Sequence, residues 1–146
     1  NGGGTMIDAG IHPVHCFEEH TGEERLVVNS PTLAGLYTEA GIALAELQGV
    51  HGAAPPGAKW RTIEVAGRDM ADLLVEWLNE LVFHGEHERW VPTEFRADIV
   101  TPTRLRIRGR GPTLPDAPSR VKAATCHELL VASQDGHYRA EVVLDV

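Results

Sequence analysis

Asp69-Met-Ala-Asp-Leu-Leu-Val-Glu-Trp-Leu-Asn-Glu-Leu-Val82 is the stretch that decides the fold. Met70, Leu73, Leu74, Trp77, Leu78, Leu81 and Val82 fall at i, i+3, i+4, i+7, i+8, i+11 and i+12. At about 3.6 residues per turn these side chains form one wide apolar stripe, so the segment is a core helix. Asp69 is a favoured N-cap, and Gly85 marks the expected end. Upstream, Lys59–Ala66 alternates Ile63 and Val65 and turns at Gly67 into the helix, as a buried strand does.

A second helix precedes that strand. Ser30-Pro31 offers an N-cap followed by proline in the first turn, and Gly49 offers a stop. Leu33, Leu36, Tyr37, Ala40, Leu44 and Leu47 share one face. Gly35 and Gly41 lie inside this helix, each at a cost of about 1 kcal/mol relative to alanine, and mark close packing. The remaining segments alternate as strands: Arg25–Asn29, Glu94–Val100, Thr103–Gly109, Arg120–Thr125, Glu128–Ser133 and His137–Val146. Asp135-Gly136 is a hairpin turn joining the last two. Residues 49–57 and 109–118 are proline-bearing loops. The order predicts one compact α+β domain, two main helices packed on a largely antiparallel sheet. Residues 1–16, opening Asn1-Gly-Gly-Gly4, are expected to be a flexible or irregular segment, and 17–146 the domain.

Composition narrows the function. The chain has 146 residues, 42% hydrophobic and 23% charged, and no apolar run of the roughly 20 residues a membrane span needs. No signal peptide is read at the start, and the two cysteines, Cys16 and Cys126, are read as reduced thiols of a cytoplasmic protein. A net charge of −8 argues against broad non-specific nucleic-acid binding. No Ser-His-Asp elbow, phosphate-cradling loop or zinc-protease helix is present, and Gly109-Arg110-Gly111 lacks the rest of a dinucleotide fingerprint.

Three groups of polar residues remain. His12, His15, Cys16 and His20 have a spacing that matches no standard zinc pattern, and no second cluster completes a four-ligand set. Arg104, Arg106, Arg108 and Arg110 alternate at period two, which puts four guanidinium groups on one strand face. Such a stripe suits phosphate or an acidic protein surface, but reads first as a solvated face paired across strands with Glu or Asp. Glu23, Glu24 and Asp145 are oxygen donors of the kind a hard cation takes. In the final strand Asp145 points away from the face of Leu144 and Val146.

Several segments together resemble the archease family. Ile63–Leu81 is similar to its central strand and helix, and Val121-Lys-Ala-Ala-Thr-Cys-His127 to its Val-Lys-Ala-Val-Thr-Tyr-His segment. Tyr138–Val146 resembles its closing strand, and Phe17-Glu-Glu-His20-Thr21 the start of its His-Thr-Ala-Asp motif. The matches run in order over residues 17–146. The resemblance implies a compact α+β fold of SHS2-type units and an accessory protein of the RtcB-type RNA ligase. Such a protein promotes guanylylation and turnover in tRNA splicing or RNA repair and is not itself an enzyme. It implies a divalent metal ion (Mg, Mn or Ca) on Glu23 and Asp145, with Lys122, His20 and His127 on the functional surface. RNA would be met only through the ligase, with no membrane partner. The sequence departs from the family at one ligand: His20-Thr21-Gly22-Glu23 stands where the motif ends in Asp. A diverged, chaperone-like or regulatory interaction module without the metal is the alternative.

Overall fold

The computed structural model describes residues 16–20, 22–118 and 120–146. In chain order the elements are β1 (Cys16–His20), β2 (Glu23–Ser30), α1 (Leu33–Leu47), β3 (Arg61–Ala66), α2 (Met70–Glu88), β4 (Glu94–Thr101), β5 (Arg104–Arg110), β6 (Ala123–Gln134) and β7 (His137–Asp145). The strands divide between two antiparallel sheets rather than one: β1-β2-β7-β6, and β3-β5-β4. The helices bridge them, α1 packing on β2, β4 and β7, and α2 on β3, β5 and β6. The class expected from the sequence is therefore the class observed, with the β structure split around the helix pair.

The stripe on α2 is buried as its period requires, with Leu73, Leu74, Trp77, Leu78, Leu81 and Val82 in the core. Trp77 fixes the helix pair: its indole N–H donates to the Tyr37 carbonyl at 2.8 Å, and the Tyr37 hydroxyl donates to the Met70 carbonyl at 2.9 Å. Both polar tips of these large buried rings are thereby satisfied. At the N-terminus of α2 the Asp69 carboxylate accepts from the Asp72 amide at 2.8 Å, and Asp72 accepts from the Arg68 amide at 2.8 Å. This is a reciprocal cap built from two aspartates.

Three boundaries differ from the sequence reading, each for a local reason. The N-cap of α1 is Thr32, whose hydroxyl accepts from the Gly35 amide at 2.9 Å; Ser30 remains in β2. Helix α2 runs through Gly85 to Glu88 and stops where Arg89 takes a left-handed conformation (φ 58). Gly85 serves packing instead, since a Cβ there would lie 3.2 Å from the Pro118 ring. Arg120–Thr125 and Glu128–Ser133 merge into the single strand β6, interrupted by a bulge between Thr125 and Leu130. Glu128 adopts φ 53 within it, and the Thr125 hydroxyl donates to the Val143 carbonyl at 2.9 Å. The Asp135-Gly136 turn forms as expected, both residues at positive φ. Strand β1 is an addition, pairing along β2 where no strand was read.

Candidate metal centre

The first sheet places strands from the two ends of the chain side by side. In the antiparallel pair β2–β7, Glu23 lies directly opposite Asp145, and on the far side of β7 Ala123 lies opposite the same Asp145. Directly opposed residues project to the same face, with Cβ atoms about 4.5–5.5 Å apart. Glu23 and Asp145 are thus neighbours at one end of the sheet, on the face away from Leu26, Val142 and Leu144 of the core. The end is tied off by backbone bonds: the Lys122 amide donates to the Asp145 carbonyl at 2.7 Å, and the Val146 amide to the Gly22 carbonyl at 3.0 Å. Glu23 is half-buried, while Asp145 and Lys122 are exposed.

Of the five sequence-predicted residues, Glu23 and Asp145 are therefore brought together on one face, and Lys122 is tied to Asp145 through its backbone. His20 is placed opposite Glu23 by the β1–β2 register, which brings its backbone to the same end. His127 stands apart from them, in the β6 bulge, 64% exposed and 4.0 Å from Glu128. His12 and His15 lie outside the described residues. Cys126 is a free, exposed thiol.

Two residues outside the predicted site set, Asn79 and Glu24, hold this end in shape. Asn79 projects from α2 onto the open edge of β6 and uses its amide as a strand would. Its Oδ1 accepts from the Ala124 amide at 2.8 Å and its Nδ2 donates to the Ala124 carbonyl at 3.1 Å. The edge groups that would otherwise lack partners are paired, two residues from Lys122. The signal was a lone amide beside the apolar stripe of α2. Glu24, next to Glu23, points to the opposite face by alternation and is 2% exposed. One of its oxygens takes a 2.5 Å bond from Arg120, and the other has no hydrogen-bond partner among the described residues. Further along the outer face, Arg25 pairs with Glu128 and Glu141, and Arg139 with Glu141, so the charges beyond Glu23 and Asp145 are engaged with one another.

Two carboxylates on adjacent strands present oxygen donors in one direction, which suits a hard divalent cation that completes its shell with carbonyls and water. Among the described residues no group of three His, Cys, Asp or Glu side chains converges, so their share of such a shell would be these two carboxylates.

Comparison with known proteins gives the family. The sequence pattern of the Archease protein family matches residues 16–146. The chain belongs to the archease family. An archease of Methanopyrus kandleri is 31% identical over 135 residues, covering 88% of this chain and 96% of that one. Two solved structures share the archease fold. A Methanobacterium thermoautotrophicum protein solved in solution superposes with a TM-score of 0.69 at 24% identity, over 90% of this chain and 98% of its own. The crystal structure of a Thermotoga maritima archease, described as a possible chaperone, gives 0.62 at 18% identity, over 92% and 99%. The archease match begins at Cys16, the first residue of β1, so the added strand belongs to the family's domain. Among the described residues no helix is long and apolar enough to cross a membrane.

Proposed function

We propose that this archease is a non-catalytic activator of an RtcB-type RNA ligase, acting through a divalent cation (Mg, Mn or Ca) held by Glu23 and Asp145. The observation that carries the reading is the cross-strand pairing of these two carboxylates at an exposed sheet end, with Lys122 bonded beside them. A cation there would supply positive charge to offset nucleotide phosphate. The chain's own part is to hold the two carboxylates at a fixed spacing, set by backbone bonds that include the Lys122 amide on the Asp145 carbonyl. The site lies at an end of the sheet where Asp145 is exposed, as a group offered to a second protein must be. Glu23 keeps the charge of the family's Asp but reaches one methylene further, which suits a cation of flexible coordination better than one demanding a strict octahedron. The ligase acts on RNA in tRNA splicing or repair, in the cytoplasm, and the cation site reaches that RNA through the ligase.

Mixing the purified protein with a cognate ligase tests this. Wild type should accelerate ligase guanylylation, and Asp145→Ala should lose the effect while keeping the fold. Full stimulation by Asp145→Ala would sink the proposal. The second reading, a metal-free chaperone-like or regulatory module, is favoured by the two-carboxylate limit of the described site. Calorimetry decides it: no heat with Mn²⁺, Mg²⁺ or Ca²⁺ would favour that reading.

A further inference from the structure

The chain's positive charge is not spread over its surface. Residues 59–66, 94–101 and 104–110, which make up the three-stranded sheet and its lead-in, hold seven of the 13 Lys and Arg residues against three carboxylates. The sheet carries +4 in a chain of net −8, so everything else carries −12. Its inner face is core, with Ile63, Leu105 and Ile107 buried under the helices. Its outer face is Arg104, Arg106, Arg108 and Arg110 on the central strand β5, with Thr62 and Glu64 on β3 and Glu94 and Arg96 on β4.

The expectation of cross-strand pairing holds for three of the four arginines: Arg106 with Glu64, Arg108 with Asp98 and Arg110 with Glu94, at 2.8–2.9 Å. It does not account for the rest. Arg96 and Arg104 form no ion pair among the described residues. Trp60, which precedes β3 at the same face, is ringed by guanidinium groups: Arg110 at 4.5 Å, Arg96 at 4.8 Å and Arg108 at 6.0 Å from the indole centroid. Stacking on an indole holds a guanidinium plane flat, and on Arg96, outside the ion pairs, it leaves the edge donors free. At the β3 edge the face adjoins a groove of about 340 Å³ lined by Pro55, Pro56, Lys59, Arg61, Trp90 and Pro112, where Arg61 stacks on Trp90 at 4.0 Å.

We infer that this outer face is a contact surface for single-stranded RNA. Arginines alternating along β5 span about 20 Å at about 3.4 Å per residue, a row of donors on which a phosphate backbone lies. The planar indole and guanidinium groups offer bases something to stack on, which a purely ionic surface does not. That stack favours a nucleic acid over an acidic protein. The face is flat, with no helix or ribbon projecting from it to enter a duplex groove, which favours a single strand. The choice of RNA over DNA rests on the proposed function; the surface itself does not. The face belongs to a different sheet from Glu23 and Asp145, so RNA and cation would occupy separate places.

Fluorescence anisotropy of the full chain with a labelled oligouridylate of about 20 nucleotides tests the inference. Affinity should fall with rising salt, with a log–log slope of about −0.7 per phosphate neutralised. Arg96→Ala/Arg104→Ala, at exposed positions outside the ion pairs, should weaken binding about tenfold and flatten the slope by about 1.4. Trp60→Ala should weaken it further, and Trp60→Phe should recover part of the loss. A melting curve like that of wild type keeps these variants interpretable. Asp145→Ala should bind RNA as wild type does, whatever its effect on a ligase. The inference is overturned by binding with no salt dependence, by variants that bind like wild type, or by polyglutamate competing as well as oligouridylate. Equal affinity for oligothymidylate would overturn the choice of RNA.

Discussion

Replacing Asn79 by alanine removes two bonds at once. Both backbone groups of Ala124, on the open edge of β6, lose their only partner in α2. A typical hydrogen bond contributes a net of about 1 kcal/mol, and a buried group left unsatisfied costs about 1–3 kcal/mol. Both bonds are part-buried, so water replaces some of what is lost, and the sum expected is about 2–3 kcal/mol. For a domain of this size that corresponds to a drop in Tm of roughly 5–10 °C. Asn79→Asp should be no milder: it retains the acceptor for the Ala124 amide but turns a carboxylate oxygen toward the Ala124 carbonyl. Thermal unfolding by circular dichroism measures the global loss. Hydrogen exchange at the Ala124 amide measures the local one, and should accelerate there by more than at Leu105 in the other sheet. If Asn79→Ala melts within a degree of wild type and Ala124 exchanges unchanged, the amide is not acting as a surrogate strand. The positioning attributed to it beside Lys122 and Asp145 then goes too.

Gly111→Ala should destabilise by about 2–4 kcal/mol in denaturant titration, because its Cβ would fall 2.2 Å from the Val91 carbonyl oxygen and the obstacle is backbone. Burial raises the Tyr37 phenol well above its ordinary value of 10.0, with Asp69 adding to the shift. The native state holds that proton while the unfolded state releases it, so stability is intact below pH 10 and lost as pH rises beyond it. Alkaline unfolding followed by far-ultraviolet circular dichroism should shift upward in Tyr37→Phe. At the acid end, Glu94 sits below its ordinary 4.5, first through the Ala54 amide and then through Arg110; Glu88 does so through Arg61 and His84. Depressed carboxylates stabilise above that ordinary value and lose their contribution as pH falls through it. Glu94→Gln should therefore flatten the acid limb of a Tm-against-pH curve without moving the alkaline one.

The helices were legible because their cause is local. A stripe repeated over three turns of α2 survives any tertiary context, and the alternation in β5 and β7 is equally self-contained. What could not be read was pairing. Nothing in Cys16–His20 marks it as a strand until β2 lies beside it, and nothing divides the strands between two sheets except how the helices pack between them. The β6 bulge misled for a related reason: Cys126-His127-Glu128 breaks the alternation just as a turn does, and only continued pairing with β7 shows one strand. At the candidate site, Asp145, Lys122 and Glu23 were named through resemblance. Asn79 was missed, and Glu24 was grouped with Glu23 as an oxygen donor, because their importance lies in burial and in bonds to distant groups: the Arg120 side chain 96 residues from Glu24 and the Ala124 backbone 45 residues from Asn79.

The spacing of Glu23 and Asp145 follows from this topology and not from any contact between their side chains. Each sits on a strand whose neighbours on both sides are hydrogen-bonded to it, since β2 and β7 are the two central strands of their sheet. Their separation is therefore set by the backbone ladder, and the reach from it by side-chain length. An Asp-to-Glu exchange at position 23 leaves the ladder untouched and moves only the oxygens, outward by one methylene, on a residue half-buried beside an exposed partner. The departure from the family motif thus changes where a cation would sit relative to Asp145 and Lys122, not whether two carboxylates face it. Glu23→Asp is accordingly the informative substitution: it restores the family's side chain on an unchanged strand. Tighter cation binding by calorimetry would place the difference in the reach of this one residue, whereas unchanged affinity would show that the longer side chain folds back to the same point.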